Sequence, residues 1–313
     1  MTERTDGNER YLYYPGCSLH STAEEFNESM QALLGALGFV WEELSDWNCC
    51  GATPAHAQSE FLGAALPLRN LILAERQAET WDRPTGGAVE LLVPCAACYS
   101  AFRLAEHEVR EGGERGRELG REVAEVMGRP FEGNVAVRHP LEVLGRQEAA
   151  DRLRAGVERP LTGLKVACYY GCLLVRPSEV VSFEPDPEHP ESMDKLMTLL
   201  GAEPVRWSYK TDCCGQSMAV AESGLVSELT GRIVRAARGA GAHALVTACP
   251  LCMMNLDSRQ KPGPGEPPLP VFFFTELACL ALGIGRPEAW FRRHLTDVRP
   301  ALEVLEAKQS ASA

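Results

Sequence analysis

The sequence predicts an α/β fold made of two similar units, each with its own parallel sheet. Two observations lead to this prediction. Short β-rich runs alternate with longer amphipathic helical patterns, and one order of motifs occurs twice along the 313 residues. The length and the 45 % content of hydrophobic residues suffice to bury one large core or two of ordinary size.

Cysteine motifs carry the repeat. Ten of the twelve cysteines form two sets of five in one order: a single Cys, then Cys-Cys-Gly, then Cys-x-x-Cys. Matching members lie 155, 164 and 154 residues apart, and flanking segments such as ESMQALLGALG and ESMDKLMTLLG repeat with them. A period of about half the chain indicates duplication of a domain-sized unit. The first set is Cys17, Cys49, Cys50, Cys95 and Cys98, and the second is Cys172, Cys213, Cys214, Cys249 and Cys252.

Each unit has the same predicted order of elements. A β-rich run ends in Gly-Cys, and an amphipathic helix, a short strand, the Cys-Cys-Gly loop and a long helix follow. A buried strand then delivers Cys-x-x-Cys at its carboxyl end. This alternation predicts two pseudo-symmetric, Rossmann-like domains, whose ligands gather beyond the carboxyl ends of parallel strands. The ranges, first unit before second, are 11–14 and 164–170 for the opening strands, 23–37 and 191–200 for the first helices, and 59–80 and 225–240 for the long helices.

The two units are expected to divide near residue 160. RPLTG interrupts the helical pattern there, which gives an N-terminal domain of 1–160 and a C-terminal domain of 161–313 with a frayed tail. The charged segment 106–127 predicts solvated helices added to the first unit. The apolar stretch 269–285 is too short for a comfortable membrane span and contains a glutamate, so we expect a buried strand running into a core helix.

Charge and targeting signals restrict the partners. A formal net charge of −12, from 43 acidic and 31 basic side chains, disfavours nucleic acid or an anionic membrane as the main partner. The N-terminal segment MTERTDGNERYLYY lacks the basic and apolar regions of a secretory signal, so we expect a cytoplasmic protein with no membrane span. Disulfides seldom persist in that reducing compartment. The cysteines should therefore be metal ligands, redox groups or core residues.

Each set offers more thiolates than a common metal site needs. Cys-x-x-Cys at a strand-to-helix turn places two thiols near a helix N-terminus, an arrangement that suits zinc, a redox dithiol or an iron–sulfur cluster. Adjacent cysteines do not easily form a disulfide with each other, so both are expected to face one external centre, and the following glycine lets the loop wrap around it. Five thiolates exceed the four of a structural zinc site or of an ordinary cubane cluster.

The doubled pattern resembles the cysteine-rich CCG domain family, specifically the B subunit of heterodisulfide reductase and its relatives, over about residues 11–283. The resemblance implies two CCG domains with a disulfide substrate between them. In the methanogen enzyme of that family, each five-cysteine set holds a noncubane [4Fe-4S] cluster. Carried over, Cys17, Cys49, Cys50, Cys95 and Cys98 would bind one cluster and Cys172, Cys213, Cys214, Cys249 and Cys252 the other. Catalysis would fall to the cluster irons, with no protein residue assigned.

Two features depart from the family pattern. In the first set 44 residues separate Cys-Cys from Cys-x-x-Cys, against 34 in the second. Extra length in a helix or loop costs little closure entropy, so we expect the first set of cysteines still to form a binding site. Cys168 competes with Cys172 as the fifth ligand of the second set, and the Gly-Cys context favours Cys172.

The remaining candidates each have a simpler structural interpretation. Cys279 on an apolar helical face is expected in the core, as is Cys168 if it is not a ligand. His20 and His56 could line a substrate pocket or shuttle protons, although loop histidines bonded to the backbone are commoner. Arg176 could meet an anionic substrate group, although a surface salt bridge is the commoner role.

The resemblance implies an oxidoreductase acting on sulfur groups, the subunit that cleaves or forms a disulfide within a larger complex. The chain has no ferredoxin-type cysteine run and no dinucleotide-binding glycine loop, so it needs redox partners. The family names two: the C subunit, which is ferredoxin-like, and the A subunit, which is a flavoprotein. The alternatives are an electron-transfer subunit of a succinate/fumarate or lactate/glycolate-type quinone-linked complex, and a zinc-stapled structural subunit. The disulfide substrate stays open between the coenzyme M–coenzyme B disulfide, lipoate and others.

Overall fold

The computed structural model describes residues 10–52, 54–81, 89–263 and 265–312, which form two four-stranded sheets with every pairing parallel. The first contains β1 (Arg10–Tyr13), β2 (Val40–Glu43), β3 (Val89–Leu92) and β4 (Val135–Arg138), in the spatial order β2-β1-β3-β4. The second contains β5 (Lys165–Tyr169), β6 (Glu203–Pro204), β7 (Ala244–Thr247) and β8 (Val271–Phe273), in the order β6-β5-β7-β8. The identical strand order confirms the duplicated α/β fold.

Helices connect the strands of both sheets. Those of the first half are α1 (Gly16–Leu19), α2 (Glu24–Ala36), α3 (Pro54–Gln58), α4 (Glu60–Ala78), α5 (Ala96–Glu111), α6 (Gly113–Met127), α7 (Pro140–Leu144) and α8 (Gln147–Gly156). Those of the second half are α9 (Ser178–Val181), α10 (Ser192–Leu199), α11 (Ser223–Gly239), α12 (Pro250–Ser258), α13 (Phe274–Leu282), α14 (Pro287–Phe291) and α15 (Arg299–Ser312). The long predicted helices lie within two residues of α2, α4, α10 and α11.

The order of the strands places the cysteine motifs together. β1 lies between β2 and β3, so the loops that follow these three strands leave the sheet side by side. The strands that precede Cys-x-x-Cys are largely apolar because helices cover them: β3 buries three of its four side chains and β7 buries all four. In both halves the cysteines therefore lie at the carboxyl edge of the sheet.

Two predicted features compare differently with the structure. The charged segment 106–127 lies in the end of α5 and in α6, and most side chains of α6 are exposed, so the prediction of solvated helices is confirmed. Leu119 and Val123 form the buried face of α6, which packs on α4 and α5. The frayed tail is instead helical to Ser312: Pro300 stands at the start of α15, where its missing N–H costs nothing, and helix-forming residues follow.

The apolar stretch 269–285 forms β8 and α13, as predicted. Within the described ranges, the helices fall short of the combined length and apolarity that a membrane crossing requires. Both elements are buried, and α13 packs against α2 of the first half.

The two halves share an extensive apolar interface. Phe26 of α2 stacks on Phe273 with ring centroids 4.2 Å apart, and the Ser29 and Thr275 hydroxyls lie 2.6 Å apart. Cys279 is fully buried, as predicted for a core residue, and its Sγ donates to the Ser29 carbonyl at 3.3 Å. The expected domain division near residue 160 falls between α8 and β5 and stays a prediction.

Candidate functional site

The first five cysteines form one continuous group of thiols. Cys17 lies in α1, the Cys-Cys pair in the loop after β2, and Cys95 and Cys98 at the N-terminus of α5. The Sγ atoms of Cys17 and Cys49 are 3.6 Å apart, and those of Cys50 and Cys98 are 3.0 Å apart. Side-chain hydrogen bonds also join Cys49 to Cys50 and Cys95 to Cys98. Three separate loops thus contribute sulfur atoms to one place.

The second five cysteines repeat this arrangement. Cys172 is hydrogen-bonded to Cys213, and the Sγ atoms of Cys214 and Cys252 are 3.5 Å apart. Cys249 is hydrogen-bonded to Cys252 and interacts electrostatically with Cys172. The predicted ligands of this half are therefore also brought together.

The two thiol groups interact with each other. Cys95 and Cys249, the first residues of the two Cys-x-x-Cys motifs, are hydrogen-bonded through their side chains. Each is the N-cap residue of a helix, α5 or α12, and each is buried. The carboxyl edges of the two sheets therefore face one another.

The glycine of each Cys-Cys-Gly motif turns its backbone toward sulfur. Gly51 and Gly215 have φ of 71° and 80°, a region that side chains resist. Their N–H groups donate to Cys49 Sγ at 3.4 Å and to Cys213 Sγ at 3.3 Å. Hydrogen bonds of this kind stabilise thiolates and tune iron–sulfur centres.

Two tyrosines that sequence reasoning did not single out hold the Cys-Cys loops. Tyr14 donates its hydroxyl to the Asn48 carbonyl at 2.9 Å, and Tyr169 donates to the Asp212 carbonyl at 2.6 Å. Asn48 and Asp212 immediately precede the two Cys-Cys pairs. The repeated tyrosine three residues before Cys17 and Cys172 was a visible signal for this role.

His139 was also missed, and no repeat signals it. Its Nδ1 accepts from the Leu141 N–H at 3.3 Å, so its Nε2 carries the proton and donates to the Pro94 carbonyl at 2.9 Å. The Ala248 backbone hydrogen-bonds to the same ring. Pro94 and Ala248 directly precede the two Cys-x-x-Cys motifs, so one fully buried imidazole joins the strand ends of both halves.

Because the thiols lie close together, their interactions lower the pKa values of some cysteines and raise those of others. Hydrogen bonds with Cys17 and Cys50 lower the pKa of Cys49 to about 2, and the bond with Cys172 lowers the pKa of Cys213 to about 6. The same bonds raise the pKa of Cys17 and Cys172 well above the usual range. The second cysteine of each Cys-x-x-Cys motif has a pKa raised by its sulfur neighbours and by burial.

This donor set fits an iron–sulfur cluster. Five soft sulfur donors per half oppose one another's ionisation, so all five can be thiolates together only beside concentrated positive charge, such as that of cluster iron. Backbone N–H groups already point at the outer sulfurs. Within the described residues, no three His, Cys, Asp or Glu side chains surround one point that could hold a single metal ion. The sulfurs form extended rows of contacts instead.

The other candidates lie at different distances from the thiols. Cys168 is fully buried on β5 and hydrogen-bonded to Asp194, while Cys172 contacts the second set. Arg176 pairs with Glu188 at 2.6 Å, the surface salt bridge anticipated for it.

The two histidine candidates differ from each other. His20 is exposed, pairs with Glu43 at 3.4 Å and packs edge-on against Trp47. His56 lies on α3 and borders a cavity beside the first thiol group. Of the two, His56 therefore lines a cavity.

Comparison with known proteins matches this geometry. The family model described as "Cysteine-rich domain" (CCG) matches residues 11–103 and 166–257. The chain is 29 % identical over 294 residues to the 8-methylmenaquinol:fumarate reductase membrane anchor subunit of Wolinella succinogenes, covering 92 % of this chain and 97 % of that protein. It is 30 % identical over 279 residues to the B subunit of the Ferredoxin:CoB-CoM heterodisulfide reductase of Methanosarcina mazei, covering 86 % and 87 %.

Two further similarities extend this result. A protein of Archaeoglobus profundus, described as like the B subunit of heterodisulfide reductase, is 26 % identical over 88 % of this chain and 91 % of that protein. The crystal structure of a hypothetical protein from Helicobacter pylori shares the fold, with a TM-score of 0.67 at 13 % identity over 93 % of this chain. This chain spans only about half of that structure, 53 % of its length. The chain is an iron–sulfur redox subunit that belongs to the cysteine-rich CCG domain family, among the relatives of the heterodisulfide reductase B subunit.

Proposed function

We propose that this chain is the catalytic subunit of a heterodisulfide reductase-like complex, which reductively cleaves a disulfide or, in reverse, joins two thiols. The observation that carries the proposal is the contact between Cys95 and Cys249, which sets the two thiol groups against each other. Cleavage converts one disulfide, two electrons and two protons into two thiols. A site with two adjacent redox centres suits a reaction in which each sulfur receives one electron.

The ten cysteines named above would hold two noncubane [4Fe-4S] clusters, five thiolates to each. When bound, the clusters would supply the two electrons, one to each sulfur of the substrate. The chain itself orients the ligand loops through Tyr14 and Tyr169 and fixes the spacing of the halves through His139. It also excludes water, because Cys95 and Cys249 are buried.

The electrons must come from other proteins of the complex. We propose two donors in a cytoplasmic complex: a ferredoxin-like iron–sulfur protein, equivalent to the family's C subunit, and a flavoprotein, equivalent to its A subunit. The relative from Methanosarcina mazei, whose name includes ferredoxin as a partner of its reaction, supports this choice.

A second candidate is an electron-transfer subunit of a quinone-linked oxidoreductase complex. The relative from Wolinella succinogenes, named as part of an 8-methylmenaquinol:fumarate reductase, favours it and covers nearly the whole chain. In that case the same two cysteine sets would relay electrons without a disulfide substrate.

Anaerobic reconstitution with iron and sulfide tests both candidates. We expect iron and acid-labile sulfide for two clusters per chain, and an EPR signal that changes on titration with a disulfide or dithiol. Two loaded clusters with no substrate-dependent signal would reject catalysis in favour of electron transfer. Purified protein that holds zinc, with neither iron nor sulfide, would remove both candidates.

Single substitutions test the assignment of ligands. Cys50→Ser should lower iron in the first half alone, and Cys214→Ser in the second half alone. Cys172→Ser should disturb the second cluster, whereas Cys168→Ser should leave it intact because Cys168 faces Asp194. Loss of both clusters from either of the first two changes would contradict one cluster per half.

A further inference from the structure

A cavity of about 770 Å³ lies beside the first thiol group, between α4, α5 and α6. Its volume is in the range of small-molecule sites. Small residues on facing helices line it: Gly63 and Ala64 on α4, and Ala97 and Ala101 on α5. Helix α6 closes it from outside with the buried Leu119.

The cavity reaches the cysteine loops of both halves. Ala52 lines it, and the backbone of Ala52 hydrogen-bonds to Cys50. Ala97, between the two cysteines of the first Cys-x-x-Cys motif, forms another part of the wall. Leu173, directly after Cys172, contributes from the second half. The cavity wall thus includes residues that are sequence neighbours of cysteines in both sets. A ligand in this space therefore lies close to both thiol groups.

One polar group in the cavity wall lacks a partner among the described residues. Ser100 lines the cavity and is only 2 % exposed, and its Oγ makes no hydrogen bond within the described structure. A buried hydroxyl without a partner costs stability, so a bound molecule that hydrogen-bonds to it would recover that free energy. Ser100 stands two residues after Cys98, close to the thiol group.

The rim of the cavity is acidic. Four glutamates border it against one arginine, Arg115, which already pairs with Glu60 at 2.9 Å and Glu108 at 3.4 Å. Glu118 and Glu122 stay exposed at the rim. This charge repels anionic substrates and leaves uncharged ones unaffected.

Among the described residues, the second half has no equivalent of this wall. The position that matches Ser100 there is Met254, which is 39 % exposed. In the described part of 259–270, which joins α12 to β8, no helix corresponds to α6. The cavity is therefore a specific addition to the first half and not a by-product of the duplicated fold.

We propose that this cavity binds the apolar arm of an uncharged aliphatic disulfide or dithiol, with Ser100 hydrogen-bonding to a polar atom of that arm. The proposal rests on the disulfide chemistry proposed above and names its substrate class. The apolar walls stabilise an alkyl chain by excluding water, and the acidic rim selects against carboxylate, sulfonate or phosphate groups on the substrate.

Direct binding tests this proposal without relying on turnover. Isothermal titration under anaerobic conditions compares bis(hydroxyhexyl) disulfide with the dianion dithiodihexanoate, two probes of equal carbon number. We expect the uncharged probe to bind at least about tenfold more tightly. Equal or tighter binding of the dianion would overturn the proposal.

A matched pair of variants locates the binding. Leu104 lines the cavity and is 39 % exposed, while Val126, on the neighbouring helix, is 84 % exposed and is not part of the lining in the described structure. Leu104→Glu should weaken binding of the uncharged probe about tenfold, because it places a charge that must lose water beside the apolar arm of the bound probe. Val126→Glu should leave it unchanged. Equal effects of the two changes would place the ligand elsewhere.

Ser100→Ala provides a third, independent readout. The change should raise the melting temperature of the ligand-free protein, because it removes a hydroxyl without a partner, yet weaken probe binding a few-fold. Unchanged binding would reject the role of Ser100.

Pocket-dependent binding without reduction of the probe would reject the proposed function and keep the cavity as a ligand site. Reduction of the probe that Leu104→Glu leaves unchanged would support the proposed function and reject the cavity as the substrate site.

Discussion

Single hydroxyl groups set the position of the Cys-Cys loops. Tyr14 and Tyr169 are equivalent in the repeat, and both reach the carbonyl just before a Cys-Cys pair. Asn70, fully buried on α4, binds Asn48 from the other side at 2.8 and 2.9 Å. The loop that carries the first pair is therefore anchored by side chains from two different elements.

Tyr14→Phe should destabilise the first Cys-Cys loop, because the Asn48 carbonyl loses one of its two donors and keeps only Asn70. We expect a loss of about 1 kcal/mol in the free energy of unfolding, and fewer iron atoms bound in the first half after reconstitution. The matched control is Tyr13→Phe, which removes a hydroxyl bonded to Asn27 at 2.7 Å and does not touch the loop. Equal loss of iron in both variants would contradict a specific role for Tyr14.

His139 acts on both halves at once. Burial lowers its pKa to about 4, so the folded protein holds this ring neutral at a pH where an unfolded chain protonates it. Phe183 stacks parallel to it with centroids 6.0 Å apart, and Tyr99 packs against its edge. The ring therefore stays in the neutral tautomer that donates to the Pro94 carbonyl.

The pKa of His139 predicts a pH dependence of stability. Between pH 6.5 and 4 the unfolded chain binds more protons at this position than the folded chain, so stability falls as the pH falls through that window. Urea unfolding should show a contribution of about 3 kcal/mol that is absent from His139→Phe. His189→Phe, at an exposed site, serves as the control. An unaltered pH profile in His139→Phe would reject this assignment.

The Cys-Cys-Gly loop is the element that shapes each thiol group. A Cβ on Gly51 would lie 2.8 Å from the Ala55 Cβ on α3 and 2.9 Å from Leu66 Cδ1 on α4. A Cβ on Gly215 would lie 3.0 Å from Leu229 Cδ1 on α11. The glycines therefore let both loops pack directly against helices, in addition to permitting the left-handed backbone.

Gly51→Ala separates these two contributions when it is compared with Gly128→Ala. Both glycines have nearly the same φ, 71° and 69°, but no described atom lies within 4 Å of a Cβ at Gly128. We expect Gly128→Ala to cost about 1 kcal/mol, and Gly51→Ala about 1–3 kcal/mol more, with reduced iron loading in the first half. Thermal unfolding and iron analysis measure these effects. Equal costs would show that packing against α3 and α4 is unimportant.

At the scale of the whole molecule, a buried group of ionisable side chains joins the two halves. Glu25 of α2 is 6 % exposed and faces the fully buried Glu276 of α13. His294 contacts Glu276 at 2.9 Å, and Arg293 lies near as a further positive charge. Burial, more than the nearby Glu276, raises the pKa of Glu25 to about 7.

This raised pKa predicts that the contact between the halves weakens as the pH rises. From about pH 4.5 to 7 the folded chain binds more protons at Glu25 than the unfolded chain, so stability falls with rising pH and stays low above that window. Glu25→Gln should therefore stabilise the protein by about 2–3 kcal/mol at pH 8 and little at pH 5. Glu24→Gln, its exposed neighbour, is the control. Stabilisation that is independent of pH would contradict this account.

The sequence by itself determined the repeat, the order of strands and helices and the two sets of five cysteines, because these depend on local periodicity and on motifs readable along the chain. Parallel sheets also place those motifs at one edge as a rule of topology. The tertiary structure decided the contact between Cys95 and Cys249, the bridging role of His139 and the cavity under α6. These features join residues far apart in the chain, and packing across the two halves leaves no periodic signal in the sequence.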